Sequence, residues 1–281
     1  QLWKGMVNKM NADLHTHTTI SDGSLTETEL LSYANSAGIN CLAITNHDAF
    51  TPLLPIKPLA NSLGIELIDG VEMSSMDTKR NRRVHILCYF PKDKTYLQKL
   101  CEQTTKNRMS AGEKMARAVC EKYPINIEQI KKIADGCIFK QHIMQALLNA
   151  GVCTKIYGKT YKKLFYEGSD FMVDCVQPDV YSVLDAAKKS GATIVMAHPF
   201  TYDGIEIMQE IIEKKLIDGI EVWSSKSNGI QEKYLFDIAK NNNLLMTGGS
   251  DFHGAYSSKK CLLGEKPTPK STINIIKNKS K

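Results

Sequence analysis

Short apolar runs alternate with stretches whose apolar positions recur every three to four residues, and this rhythm covers both ends of the chain. Between residues 11 and 90 it predicts strands over 12–14, 41–45, 65–68 and 84–90. They are brief and aliphatic or β-branched, like strands buried on both faces of a parallel sheet. Thr26 and Glu29 form a capping box for a helix whose Leu30, Leu31, Ala34 and Ala37 share one face and which stops at Gly38. The rhythm resumes after Asp179: a helix to Ser190 with a stop at Gly191, then strands over 193–197, 219–223 and 244–247, with helices near 205–214 and 230–240. Repeated β-then-α units argue for a parallel α/β barrel or a doubly wound sheet. From 93 to 177 the rhythm breaks into successive helices, over 97–120, 127–133 and 142–149 among others. The chain thus reads as a barrel domain built from 11–92 and 178–281, with a helical insertion at 93–177 that packs over one end and selects the substrate.

Composition narrows the class. The 281 residues are 42% hydrophobic and 23% charged, enough apolar material for a full core. No run approaches the roughly 20 apolar residues that cross a bilayer. Residues 1–11 lack the apolar middle of a secretory signal, so a cytoplasmic protein is expected, its native start at Met6 or Met10 left open. Eight cysteines are scattered without a Cys-x-x-Cys pair and read as small hydrophobes in a reducing compartment. The net charge of +6 comes largely from a lysine-rich end (Lys270, Lys277, Lys279, Lys281) and a loop (Lys79, Arg80, Arg82, Arg83), both read as solvated surface. Nucleic acid is permitted by that charge, not implied by it. No pattern specifies an oligomeric state.

The chemistry sits at the strand ends. His15 and His17, one residue apart after an apolar strand, point the same way and can share a metal ion. Of the seven histidines, His47, His85, His198 and His253 also lie at or within strand-like runs, beside the carboxylates Asp22, Glu72 and Asp251. Imidazole and carboxylate without thiolate suit manganese, iron or zinc, and so many ligands exceed the needs of one ion. Asp48 reads as an acceptor that orients His47. Asp13 is either a partner of the ligands or a strand-end cap, Glu221 either a partner of a ligand or a buried, paired structural carboxylate, and Trp223 is packing or a surface for a base.

The motifs Asp13-Leu14-His15-Thr16-His17 with Ser21-Asp22-Gly23, Thr45-Asn46-His47-Asp48, Gly70-Val71-Glu72, Val84-His85-Ile86-Leu87, Ala197-His198-Pro199, Gly219-Ile220-Glu221 and Gly249-Ser250-Asp251-Phe252-His253 resemble those of the PHP (polymerase and histidinol phosphatase) family of metal-dependent phosphoesterases. The order matches over about residues 12 to 254. The helical insertion is most similar to that of the branch acting on nucleoside monophosphates or 3′,5′-bisphosphates. The resemblance implies a distorted (β/α)7 barrel and up to three divalent transition metals. His15, His17, Glu72 and Asp251 would hold one; a bridging Glu72 with His85 and His198 the second; Asp22, His47 and His253 the third. Glu72, Asp22, His47 and Asp251 would then carry catalysis, with a hydroxide shared between metals attacking phosphorus and no side-chain nucleophile. Lys140 and His142 would bind substrate.

Three departures from the family pattern stand out. Asn46 replaces an aspartate beside the third ion, Lys140-Gln141-His142 replaces Arg-Pro-His, and Gly168-Ser169-Asp170 stands where a second arginine is expected. A small phosphorylated metabolite, a nucleotide or sugar phosphate cleaved as a monoester, is the expected substrate, with weak preference for bisphosphates. The alternatives are a phosphodiesterase or exonuclease on short oligonucleotides, and a non-catalytic PHP binding module, which the full ligand set disfavours.

Overall fold

The computed structural model describes residues 11–134, 136–166, 168–258 and 261–279. Met6, Met10 and Lys281 lie outside them. In chain order the elements are β1 (Ala12–Asp13), α1 (Glu27–Ser36), β2 (Cys41–Ile44), α2 (Leu53–Ser62), β3 (Glu66–Asp77), β4 (Arg82–Tyr89) and α3 (Thr95–Cys120). There follow α4 (Ile127–Ala134), α5 (Lys140–Asn149), α6 (Lys159–Phe165), α7 (Val180–Lys189), β5 (Thr193–Met196), α8 (Ile205–Glu213), β6 (Gly219–Ser224), α9 (Gly229–Asn241), β7 (Leu245–Gly249) and α10 (Lys270–Lys279).

The seven strands form one sheet in sequence order. It curls until its ends meet, where Leu14 N–H donates to Gly248 O at 3.4 Å and His17 N–H to Phe252 O at 2.9 Å. The expected barrel is therefore present, but its strands are not all parallel. β4 runs antiparallel to both β3 and β5. Only residues 78–81 join β3 to β4, a hairpin-length link, whereas a parallel neighbour needs a crossover of roughly a dozen residues or more. β3 also runs well past residue 68, where Glu72, Ser74 and Ser75 interrupt its apolar signal while staying buried.

Two layers of apolar side chains surround the sheet. Leu30, Leu31 and Ala34 of α1 and Ile56 of α2 pack on Leu42 and Ile44. Val183 of α7, Ile207 and Ile211 of α8 and Leu235 of α9 cover Val71, Ile86, Ile194 and Ile220. A third cluster fills the barrel with Leu14, Ala43, Leu87, Tyr89 and Val195. Ile273 and Ile276 of α10 join it, so the lysine-rich end is a packed helix whose Lys277 and Lys279 pair with Glu66 and Asp218. Nor is Arg80 merely solvated, since Asp77, Glu206 and Glu210 hold its guanidinium at 2.7–2.8 Å. The helices from α3 to α6 gather a separate core around Val119, Ile130, Leu147 and Leu164. Among the described residues no helix is long and apolar enough to cross a membrane.

Candidate metal centre

Glu72, fully buried in the middle of β3, is the hub of the barrel mouth. Its Oε2 lies 3.2 Å from His15 Nε2, 3.2 Å from His17 Nε2 and 3.0 Å from His47 Nδ1. Its Oε1 lies 2.9 Å from His85 Nδ1 and 3.0 Å from His198 Nε2. One carboxylate thus faces five imidazoles, three on one oxygen and two on the other. The reversal of β4 explains why His85 joins them: the start of an antiparallel strand reaches the same barrel end as the finishes of its parallel neighbours. Asp251 Oδ1 lies 3.2 Å from His17 Nε2 and 3.5 Å from His15 Nε2. On the far side, Asp22 Oδ1 lies 3.2 Å from His253 Nε2, 3.7 Å from His17 Nδ1 and 4.0 Å from His47 Nε2.

The loops that present these groups are held tightly. Glu221 Oε1 takes His15 Nδ1 at 2.8 Å, and its Oε2 accepts the His198 backbone N–H at 2.8 Å. Glu221 is thus a buried carboxylate paired with a candidate ligand, and it turns His15 Nε2 toward the cluster. His198 and Asp251 occupy the left-handed backbone region, with φ of 25° and 50°, a strain that persists only where the surroundings over-determine it. Gly249 is required, because a Cβ there would stand 2.3 Å from His15 Cβ. Asp13 accepts backbone N–H groups of His15, Ser250 and Gly264, so it organises three loops. Asn46 accepts from Thr18 N–H and Ser21 Oγ and donates to Thr18 and Thr51 hydroxyls, tying its loop together. Asp48 does not take up His47 as expected. Its oxygens accept Ser74 N–H at 2.9 Å and Arg108 Nη2 at 2.5 Å.

Metal ions fit this arrangement. His15 Nε2, His17 Nε2, His47 Nδ1 and Glu72 Oε2 are buried without a hydrogen-bond partner, a costly state that a shared cation relieves. Three ligand groups, each with donor atoms within 4.8 Å of one another, are His15, His17, Glu72 and Asp251; His47, Glu72 and His85; and His17, Asp22, His47 and His253. Against burial, the carboxylates of Glu72, Glu221 and Asp251 hold His15 well above the usual imidazole range. Burial likewise opposes charge on Asp22, Glu72 and Asp251, yet neighbouring cations hold all three carboxylates well below their ordinary range. Without metals the cluster balances imidazolium against carboxylate.

Two connected chambers open above the cluster, sharing Asp22, His47, His85 and Gln141 as walls. The larger, about 470 Å³, carries aromatic rings of Tyr157, Tyr161, Phe200 and Tyr202, with Lys226 on its wall. The smaller, about 190 Å³, gathers Arg83, Arg108 and Lys140 beside Phe139. Burial and then the nearby Arg83 push Lys140 down to about 8. His142 is buried and its Nδ1 accepts the Phe139 N–H at 3.2 Å, closing the start of α5. Ser169 turns back onto Leu164 O, away from any second arginine's work. The cation absent at 168–170 has counterparts elsewhere: Arg83 from β4 of the barrel and Arg108 from α3 of the same helical segment. Trp223 packs beside Phe236 in the outer layer.

Gln141, Tyr202, Lys226 and Arg108 are wall residues to which the sequence assigns no role, and Arg83, read from the sequence as solvated loop surface, is a residue of β4 that lines the smaller chamber. Tyr202 and Lys226 carry a weak signal, each lying just beyond a strand end at the mouth. Arg108 carries none, being one cation among many in a long helix.

Comparison with known proteins agrees with this geometry. The chain matches the PHP domain model over residues 13–176. It is 31% identical over 251 residues to a phosphoribosyl 1,2-cyclic phosphate 1,2-diphosphodiesterase of Eggerthella lenta, covering 88% of this chain and 95% of that one. A 5′-3′ exoribonuclease of Haemophilus influenzae is 30% identical, with 86% and 89% covered. A 3′,5′-nucleoside bisphosphate phosphatase of Chromobacterium violaceum is 25% identical, with 86% and 87% covered. Among solved structures, a Bifidobacterium adolescentis protein named as a metal-dependent phosphoesterase superposes with a TM-score of 0.85 at 25% identity over 97% of both chains. The chain therefore belongs to the PHP domain family and is a hydrolase of phosphoester bonds.

Proposed function

We propose that the protein hydrolyses a phosphate monoester of a small metabolite, a nucleotide or sugar phosphate, with manganese, iron or zinc, up to three per chain. The observation that carries this reading is the small chamber. Its three cations, Arg83, Arg108 and Lys140, meet the ligand cluster in a recess of about 190 Å³, a volume suited to a compact anionic group such as a terminal phosphate.

His15, His17, Glu72 and Asp251 would hold one ion, Glu72 with His85 and His198 a second, and Asp22, His47 and His253 a third. When bound, such ions supply Lewis acidity toward phosphate oxygens and lower the pKa of a coordinated water. The chain does the rest. Lys140 neutralises a phosphate oxygen as a point charge, without the two-pronged grip of an arginine. The tyrosines of the larger chamber flank the organic part of the substrate and exclude water, and residues 93–177 select it by walling both chambers. His142 acts by fixing the first turn of α5, on which Lys140 stands.

A panel of phosphate-release assays tests this, with manganese supplied and mononucleotides, bisphosphonucleotides, sugar phosphates and short oligonucleotides offered. Release from one or more of the small monoesters is expected. Turnover confined to internal diesters or oligonucleotides would transfer the chain to the diesterase reading, which the names of the Eggerthella and Haemophilus relatives favour.

A further inference from the structure

Asp22 and Asp251 meet the imidazoles in the same way. Each turns Oδ1 toward them, and each has Oδ2 held from behind. On Asp251 the holder is Lys226, its Nζ 3.2 Å from Oδ2, from the loop after β6. On Asp22 it is Gln141, whose Nε2 donates to Oδ2 at 3.0 Å. Lys226 belongs to the barrel. Gln141 stands in the first turn of α5, so the helical segment reaches across the cleft to hold a residue of the barrel mouth.

We propose that Gln141 is a positioning residue for the metal ion at Asp22, His47 and His253: by occupying Asp22 Oδ2 it makes Asp22 a one-oxygen ligand aimed at that ion. The inference rests on reading those three residues as metal ligands. Asp22 is the one carboxylate in the group, and its neighbour in the fold, Asn46, is neutral. The direction in which Asp22 spends its charge therefore decides how strongly the group attracts a cation. An amide donor fixes that direction without cancelling charge, whereas the Lys226 ammonium offsets part of the charge on Asp251. Proline, usual in the family's motif at this place, has no donor to offer.

The position of Gln141 is itself built. The Phe139 ring stacks on His47, with centroids 6.4 Å apart and planes at 26°, and the Arg108 guanidinium lies over the Phe139 ring at 4.8 Å. One residue earlier, the Ile138 carbonyl approaches α3 so closely that a Cβ on Gly112 would stand 2.2 Å from its oxygen. The start of α5 is thus clamped between α3 and a ligand histidine. Docking of the segment becomes part of the metal site.

The test is metal binding, read without turnover. Protein loaded with manganese and dialysed should be assayed for ions per chain, and affinities measured by calorimetric titration. Gln141→Ala and the near-isosteric, uncharged Gln141→Met, which lacks the donor, should weaken one site by about the 10–100-fold typical of losing a ligand's hydrogen-bond partner, leaving the other sites and the melting temperature as they were. Gln141→Lys, which keeps a donor but offsets the charge on Asp22, should not restore the weakened site. Unchanged stoichiometry and affinity in both the alanine and methionine variants overturns the proposal, as does an equal loss of every ion in all three variants, which marks a general structural role. An unmodified protein that binds no metal fails the ligand reading itself, before any variant is compared.

Discussion

At the barrel mouth Glu221 holds the His15 ring and the His198 backbone at 2.8 Å each, while in the helical segment Arg108 Nε and Gln177 Oε1 are buried with no partner. Both regions contain unsatisfied buried atoms, but of different kinds. At the mouth the unsatisfied atoms, His15 Nε2, His17 Nε2, His47 Nδ1 and Glu72 Oε2, converge on shared points, and their own ring and backbone partners keep them there. Around the smaller chamber they are a donor and an acceptor on separate walls. A spherical cation satisfies the first arrangement, and a directional ligand with both donor and acceptor groups satisfies the second. On the proposed reading the chemistry is lodged in the barrel and selection in the helical segment, which carries Arg108 itself and faces Arg83 of β4.

The largest expected effect comes from breaking the barrel side. Glu72→Gln removes the charge that faces five imidazoles, so bound metal should fall and phosphoesterase activity should drop by more than about 100-fold, beyond the usual cost of an outer partner. Metal analysis beside turnover checks this, and a fully active variant holding a single ion would end the multinuclear reading. Breaking the segment side should look different. Lys140→Ala should raise KM far more than it lowers kcat, by about the 1.5–3 kcal/mol of a hydrogen bond to a charged group, with metal content unchanged. Unaltered kinetics would remove Lys140 from the substrate wall. Arg83 also changes the expectation for bisphosphates, because a second phosphate would have its guanidinium to meet despite the absence at 168–170, whereas Arg108 is already paired with Asp48.

A smaller effect sharpens the electrostatics of the mouth. Burial alone would push His253 down, but Asp22 and Asp251 raise it to about 9 in the metal-free protein. The folded value exceeds the unfolded one of about 6.5. The stabilisation from this imidazolium is therefore whole below about 6.5 and is lost as pH rises through about 9. A metal ion needs the neutral ring, so loading must release the proton, and apparent affinity should rise with pH by up to about tenfold per unit per proton, levelling near 9. Calorimetry in two buffers of different ionisation enthalpy counts the protons, and a count of zero refutes the coupling. Smallest of all is the thiol effect. Cys261, which donates to Ser250 O at 2.9 Å beside the mouth, is the most demanding case. Cys261→Ser should keep kcat within about a few-fold, as should serine at the other seven positions, since none joins a ligand group. Lost metal in any of them would show a misread ligand.

The residues that gather at the barrel mouth were legible because imidazole and carboxylate at strand ends have few other uses, and because the strand rhythm around them is regular. The direction of β4 was not legible as a composition, since a strand buried on both faces looks the same whichever way it runs. It follows only from the brevity of residues 78–81. α2 escaped notice because Pro52, Pro55 and Pro58 argue against a helix, although Pro52 stands at its cap and Pro55 in its first turn, where no intrahelical N–H is needed. α10 hid behind its lysines, with only Ile273 and Ile276 to reveal the packed face. The partner of Asp48 was misjudged for a similar reason: Arg108 comes from a helix sixty residues away, a distance over which spacing carries no information.

α3 is an unbroken helix of 26 residues, about 39 Å at the usual rise, while β4 beside it spans only about 27 Å. Because β4 ends at the foot of the barrel, α3 climbs back along the wall and overshoots it. Leu97 and Cys101 are seated in the wall, and Met115, Ala116 and Val119 carry the roof. Mechanically the helix is a cantilever, anchored below and loaded above, with no joint at the height of the mouth. Arg108, midway along it, is thereby tied to both ends: the same unbroken helix that is seated in the wall carries this cation to the mouth and the roof above it.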